Sequence, residues 1–270
     1  MRELTLPARL VLLPGLGTAP QVFEPQRRAF GDKLIAPAFI PAQGNESIER
    51  YAKRWAKKLN PMLAEAGEPL PLFLGGQSLG GMIALELAMH LEPRPRAVLL
   101  IASSRRADAL TLPVQFAQRL STFLPGAPMG LARKLLALGW ALREGLDDEG
   151  KDMYVDSITK SDDAFLKWGA REAMDWPGFD PPDNYPPIYQ VHGSDDWIIT
   201  PPPANQATLI EGGRHLINFT HTHSVNRFLF DHILKHTPEA HLATPAIEDP
   251  HTTAQRRLQL EGAPVGTPLA

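Results

Sequence analysis

The sequence holds no cysteine among its 270 residues. That excludes disulfides, thiolate nucleophiles and cysteine-ligated zinc, and it fits a reducing compartment such as the cytoplasm. Nor is there any run close to the roughly 18 apolar residues that a membrane-spanning helix needs. Leu10-Val11-Leu12-Leu13 is broken at once by Pro14-Gly15, too early for the apolar core of a signal peptide. A strong charge of one sign is also missing. The 27 Lys and Arg against 30 Asp and Glu leave a net charge of −3, which calls for no polyanionic partner such as nucleic acid. The expectations are no nucleic-acid partner, no membrane span and a cytoplasmic location, with the oligomeric state undetermined.

What is present is ordinary for a folded domain: 43% hydrophobic and 21% charged residues. Continuous apolar runs at Arg9 to Leu13, Leu34 to Ala36, Leu70 to Leu74 and Arg96 to Ala102 read as strands buried on both faces. Between them lie helical patterns: a short one through Val22, Phe23 and Phe30, a long one from Ser47 to Ala66 closed by Gly67, and one from Leu79 to Leu91. From about Ser104 to Pro187 the strands stop and helical spacing takes over. One group holds Val114, Phe116, Leu120 and Phe123, a second runs from Leu131 to Leu142, and a third includes Phe165, Trp168 and Met174. Glu144 to Asp152 reads as a solvated loop between helices. Strands resume at Ile188 to Val191 and Ala207 to Ile210, before a last helix through Val225, Phe228, Leu229 and Ile233. The fold class is therefore α/β, a mostly parallel doubly wound sheet. Its core is expected to span 1–103 and 188–237, with a helical cap inserted at 104–187, and 238–270 reads as a flexible tail with one helical turn near Arg256-Arg257-Leu258.

The chemistry gathers around Gly76-Gln77-Ser78-Leu79-Gly80, which fits G-x-S-x-G. This is the strand–turn–helix elbow that lifts a serine above a sheet, and its glycines allow a turn too tight for side chains. Serine is a poor nucleophile at neutral pH; it needs a base in hydrogen-bond reach and an acid to orient that base.

With serine first, acid second and histidine last, the chain resembles the α/β-hydrolase superfamily from Arg9 to about His236. Leu13-Pro14-Gly15-Leu16-Gly17 is similar to that family's oxyanion loop, with proline where many members carry histidine. His192-Gly193-Ser194-Asp195-Asp196 resembles its H-G-x-x-D turn, and Gly213-Arg214-His215 its G-x-H turn. The resemblance implies Ser78 as nucleophile, Asp196 as acid and His215 as base, with backbone N–H groups of Leu16 and Leu79 forming the oxyanion hole. Asp195, and more distantly Asp108, stay as alternative acids, while His192 is expected to hold the acid's turn through a bond to the backbone. His221 and His223 have the spacing of metal ligands but no third ligand nearby. No metal and no cofactor is expected.

The implied activity is a serine esterase acting on a small-molecule ester or thioester that is largely apolar. The cap is expected to supply the pocket wall, with Phe116, Phe123, Leu135, Leu138, Trp140, Phe165 and Trp168 as candidates and Trp197 facing either the site or the packing beside it. Two alternatives use the same residues. One is another reaction of the triad, such as C–C bond hydrolysis, acyl transfer or cofactor-free perhydrolysis. The other is a binding protein that keeps the scaffold without turnover.

Overall fold

Side chains alternate across a strand, so a strand apolar at every position must be covered twice. In the computed structural model, which describes residues 6–65, 70–111 and 129–237, β1 (Arg9–Leu13) does this. Leu10 and Leu12 enter one core, Val11 and Leu13 the other. The same division holds for Phe73 against Leu72 and Leu74 in β3 (Leu72–Gln77), and for Leu99 and Ile101 against Val98 and Leu100 in β4 (Val98–Ile101). With β2 (Leu34–Ile35), β5 (Ile188–Gly193) and β6 (Thr208–Ile210) they form one six-stranded sheet in the order β2-β1-β3-β4-β5-β6, and each neighbouring pair is parallel. Six strands were legible in the sequence, with β2 and β6 each a residue shorter than read.

Parallel strands need crossovers, and the helices supply both covering layers. One layer holds α2 (Ile48–Glu65) and α3 (Leu79–Leu87), which bury Tyr51, Trp55, Leu59, Ile83 and Leu85. The other holds α1 (Glu24–Phe30) and, after β6, α7 (Ile217–Thr220) and α8 (Thr222–Lys235), burying Phe30, Val225, Leu229 and Ile233. Each such side chain, fully buried, contributes about 1.5–3 kcal/mol. Ser47 caps α2 as expected, its hydroxyl accepting from Arg50 N at 3.3 Å.

Between β4 and β5 the chain builds α4 (Met129–Glu144), α5 (Asp148–Lys160) and α6 (Asp163–Asp175). The solvated loop expected at Glu144 to Asp152 is not there. Asp147 accepts from Gly150 N at 2.8 Å and starts α5, and Glu144 is only 4% exposed. A charged run hid a capped helix start and a buried carboxylate. Asp162 starts α6 in the same way, accepting from Phe165 N at 2.7 Å. The expected helix through Val114, Phe116, Leu120 and Phe123, Gly67 and the tail at 238–270 lie outside the described residues. Among those described, no helix is long and apolar enough to cross a membrane.

Candidate active site

The sheet order reverses between β1 and its two neighbours: the chain runs from β1 outward to β2, then returns to place β3 on the other side of β1. A crevice opens beyond the carboxyl ends of strands at such a switch point. The loop after β1 carries Pro14, Gly15 and Leu16, and the turn after β3 carries Ser78, so both candidate segments meet there. A Cβ built on Gly15 would lie 3.3 Å from Ser78 Cβ.

Ser78 has φ 54° and ψ −125°, a conformation costly for a residue with a side chain. Strain of this kind amounts to about 1–3 kcal/mol and persists only where the surroundings impose it. Here they do. Ser78 N donates to Ile101 O at 3.1 Å, and its carbonyl accepts from Gly81 N at 2.9 Å and from the Ser103 hydroxyl at 2.7 Å. Gly80 is required by close approach, since a Cβ there would stand 2.2 Å from both the Leu13 and Pro14 carbonyl oxygens. The N–H of Leu16 has no hydrogen-bond partner among the described residues. That of Leu79, the first residue of α3, has none within its own helix.

Asp196 and His215 come together beyond β5 and β6. Asp195 N donates to Gly213 O at 2.8 Å, tying the turn that carries Asp196 to the one that carries His215. His215 Nδ1 lies 2.9 Å from Asp196 Oδ2, and both residues are buried. With Nδ1 donating, Nε2 carries the lone pair. Oδ1 of Asp196 accepts from Ile198 N at 2.8 Å and Ile199 N at 3.1 Å, while His192 Nε2 reaches Oδ2 at 2.9 Å and Ile199 O at 3.2 Å. His192 therefore holds the carboxylate itself as well as the backbone, which goes beyond the backbone role expected. Asp195 is exposed and accepts from Ser194 Oγ, and Asp108 pairs with Arg106 at 2.7 Å. Neither bonds to His215. The Ser78 hydroxyl has no hydrogen-bond partner among the described residues, so Asp196 is joined to His215 but His215 is not joined to Ser78. Such contacts often close only with substrate present.

The electrostatics follow from burial against pairing. Burial pushes the Asp196 carboxyl up, but the facing His215 and the His192 N–H outweigh it and hold the group well below the ordinary carboxylate range. Burial pushes His215 down, yet Asp196, and after it Glu144, raise it above an ordinary histidine.

Of the expected wall residues, Leu135 and Leu138 are 59% and 40% exposed. Phe165 and Trp168 are core, stacked among Phe39 and Tyr51. Trp140 packs on Trp197 with ring centroids 4.5 Å apart, which gives Trp197 the packing role. Phe116 and Phe123 lie outside the described residues. The helices between β4 and β5 reach the loop after β1 through residues that sequence pattern did not mark. The Ser161 hydroxyl donates to Gly17 O at 2.8 Å, and a Cβ on Gly169 would lie 2.6 Å from Leu16 and 2.8 Å from Leu79. His221 turns to Thr220 at 2.9 Å. No cluster of three potential metal ligands exists among the described residues.

Fold and site together define a doubly wound α/β protein with a serine on a strained strand–helix turn and a buried Asp–His pair beside it. The chain belongs to the alpha/beta hydrolase family, whose model matches residues 10–254. No curated protein sequence matches it. Among solved structures it is similar to a thermophilic esterase from Thermogutta terrifontis, with TM-score 0.66 and 18% identity over 86% of this chain and 91% of that one. It is also similar to the enol-lactonase from Burkholderia xenovorans LB400, with TM-score 0.60 and 19% identity over 84% and 92%. A third is the N-acyl homoserine lactonase AidH, with TM-score 0.63 and 16% identity over 87% and 92%. Identities this low bear on the fold alone.

Proposed function

We propose that this chain is a serine hydrolase that cleaves carboxylic esters or thioesters of small, largely apolar substrates through an acyl-enzyme on Ser78. The observation that carries the reading is the 2.9 Å bond from His215 Nδ1 to buried Asp196, on the same sheet edge as the strained Ser78. The names of the structural neighbours, an esterase and two lactonases, agree with ester chemistry. In this reading residues 104–187 act as a cap over a core of 1–103 and 188–237.

His215 Nε2 takes the proton from Ser78 Oγ as Oγ attacks the substrate carbonyl carbon. The carbonyl electrons move onto oxygen, which the N–H groups of Leu16 and Leu79 stabilise. The imidazolium, held by Asp196, then gives its proton to the departing alkoxide or thiolate. A water deprotonated by His215 attacks the acyl-enzyme; its collapse releases the acid and returns the proton to Ser78. Hydrolysis of p-nitrophenyl esters over a range of acyl lengths tests this. Ser78→Ala should lose at least about 10³-fold in kcat, and a fluorophosphonate should label Ser78. Unchanged turnover in the variant, or no labelling of a folded wild type, overturns the proposal.

A further inference from the structure

Glu144 ends α4, outside every motif, yet its carboxylate is buried and fully engaged. Oε1 accepts from the Trp197 indole N–H at 2.8 Å and Oε2 from Leu216 N at 2.8 Å. Trp197 follows Asp196 in the chain and Leu216 follows His215, so one side chain from the insertion grips the residue next to each member of the Asp–His pair. Burying a carboxylate costs free energy unless its partners repay it. Two neutral N–H donors are a modest return, and a cation forming nearby would add to it.

We propose that Glu144 is a positioning residue: it sets the turns carrying Asp196 and His215 in register and supplies a second negative charge behind His215 when that ring becomes cationic. The inference rests on the hydrolase reading above for its effect on turnover, but not for its effect on the histidine. The charged groups around His215 are few. Asp196 faces it from the turn after β5 and Glu144 from α4, and Glu144 adds to the raised basicity of the ring. His192 reaches the ring only through Asp196. The neighbouring cations turn away. Arg143 lies over the Trp197 ring at 4.1 Å, and Arg214 donates to the Arg143 carbonyl.

The test is the titration of His215 by NMR, beside the pH profile of kcat/KM, in wild type, Glu144→Gln and Glu144→Asp. Glutamine keeps the size but loses the charge and turns an NH₂ toward one of the two donors. His215 should then titrate at lower pH, and the acid limb of kcat/KM should move the same way. The plateau of kcat should fall about tenfold with little change in KM, because less charge opposes the imidazolium in the transition state. Glu144→Asp keeps the charge but cannot span both donors. His215 should titrate near its wild-type pH while kcat still falls, and this variant decides the matter if Glu144→Gln does not fold. Superimposable His215 titrations in wild type and Glu144→Gln, or a His215 titration in Glu144→Asp shifted as far as loss of charge would give, overturn the proposal. The fluorophosphonate assay on wild type fails separately if the hydrolase reading is wrong, because it does not depend on Glu144.

Discussion

At the scale of single residues, the Asp196–His215 pair fixes how the molecule responds to pH. His215 can accept a proton only when neutral, and its pairing raises it above an ordinary histidine. With His215 as the base of the proposed hydrolase, the acid limb of kcat/KM should therefore have its midpoint above about pH 6.5. A profile of a short p-nitrophenyl ester checks this, and a midpoint at or below that value would remove the electrostatic account. Stability has the opposite dependence at the two ends. Asp196 titrates below an unfolded aspartate, so its contribution is present above about pH 3.9 and is lost as pH falls through the folded value. His215 titrates above an unfolded histidine, so its contribution is full below about pH 6.5 and is lost as pH rises through its folded value. Urea midpoints should peak between those limits. The strained turn at Ser78 and the Asp196–His215 contact fall on residues that the sequence singled out, because each sits in a short local pattern. Glu144 was not. Its partners are far away in sequence, Trp197 and Leu216, and a glutamate followed by Asp147, Asp148 and Glu149 looks solvated.

At the scale of elements, the elbow reads as a seat cut to fit backbone. α3 approaches β1 so closely that Gly80 meets two carbonyl oxygens, which cannot yield as a flexible side chain would. Gly80→Ala should destabilise by more than about 2 kcal/mol or prevent folding, within the range of severe backbone conflicts. Gly139 is the contrast: it lies inside α4, a Cβ there meets nothing within 4 Å, and no positive φ is recorded for it. Gly139→Ala should stabilise by about 0.5–1 kcal/mol, the helix-propensity gain. Paired urea titrations settle both signs, and equal effects would mean the close approach of α3 to β1 has been misjudged. The sequence pattern placed β3 at Leu70 to Leu74 and the glycines in the turn. In fact the strand continues through Gly75, Gly76 and Gln77, because these pair with Leu12 and Leu13 of β1 and with Leu99 to Ile101 of β4. Neighbouring strands, invisible to a local reading, decided where the strand ended.

For the whole molecule, the question is whether the helices between β4 and β5 are a separate body or part of one cooperative unit. Continuously apolar strands separated by helical patterns made the sheet legible, but nothing in a one-dimensional pattern says what the helices between β4 and β5 touch. The contacts argue for one unit. The Trp168 indole donates to Glu46 O at 2.8 Å, the Trp176 indole to Glu86 at 2.9 Å and the Tyr185 hydroxyl to Leu85 O at 2.6 Å. Ser161 and Glu144 add bonds to the loops at the site. Phe165 and Trp168 sit in the same apolar cluster as β3 and α2 rather than in one of their own. Separating the insertion would expose those rings and leave buried donors unpaired, so partial unfolding should cost nearly as much as global unfolding. Four of the 5 tryptophans, at 140, 168, 176 and 197, lie in or against the insertion, so their fluorescence reports on it, while far-ultraviolet circular dichroism reports on the whole. In urea the two signals should give one coincident transition with the same midpoint. A fluorescence transition that precedes the loss of circular dichroism would mean that the insertion detaches before the sheet unfolds.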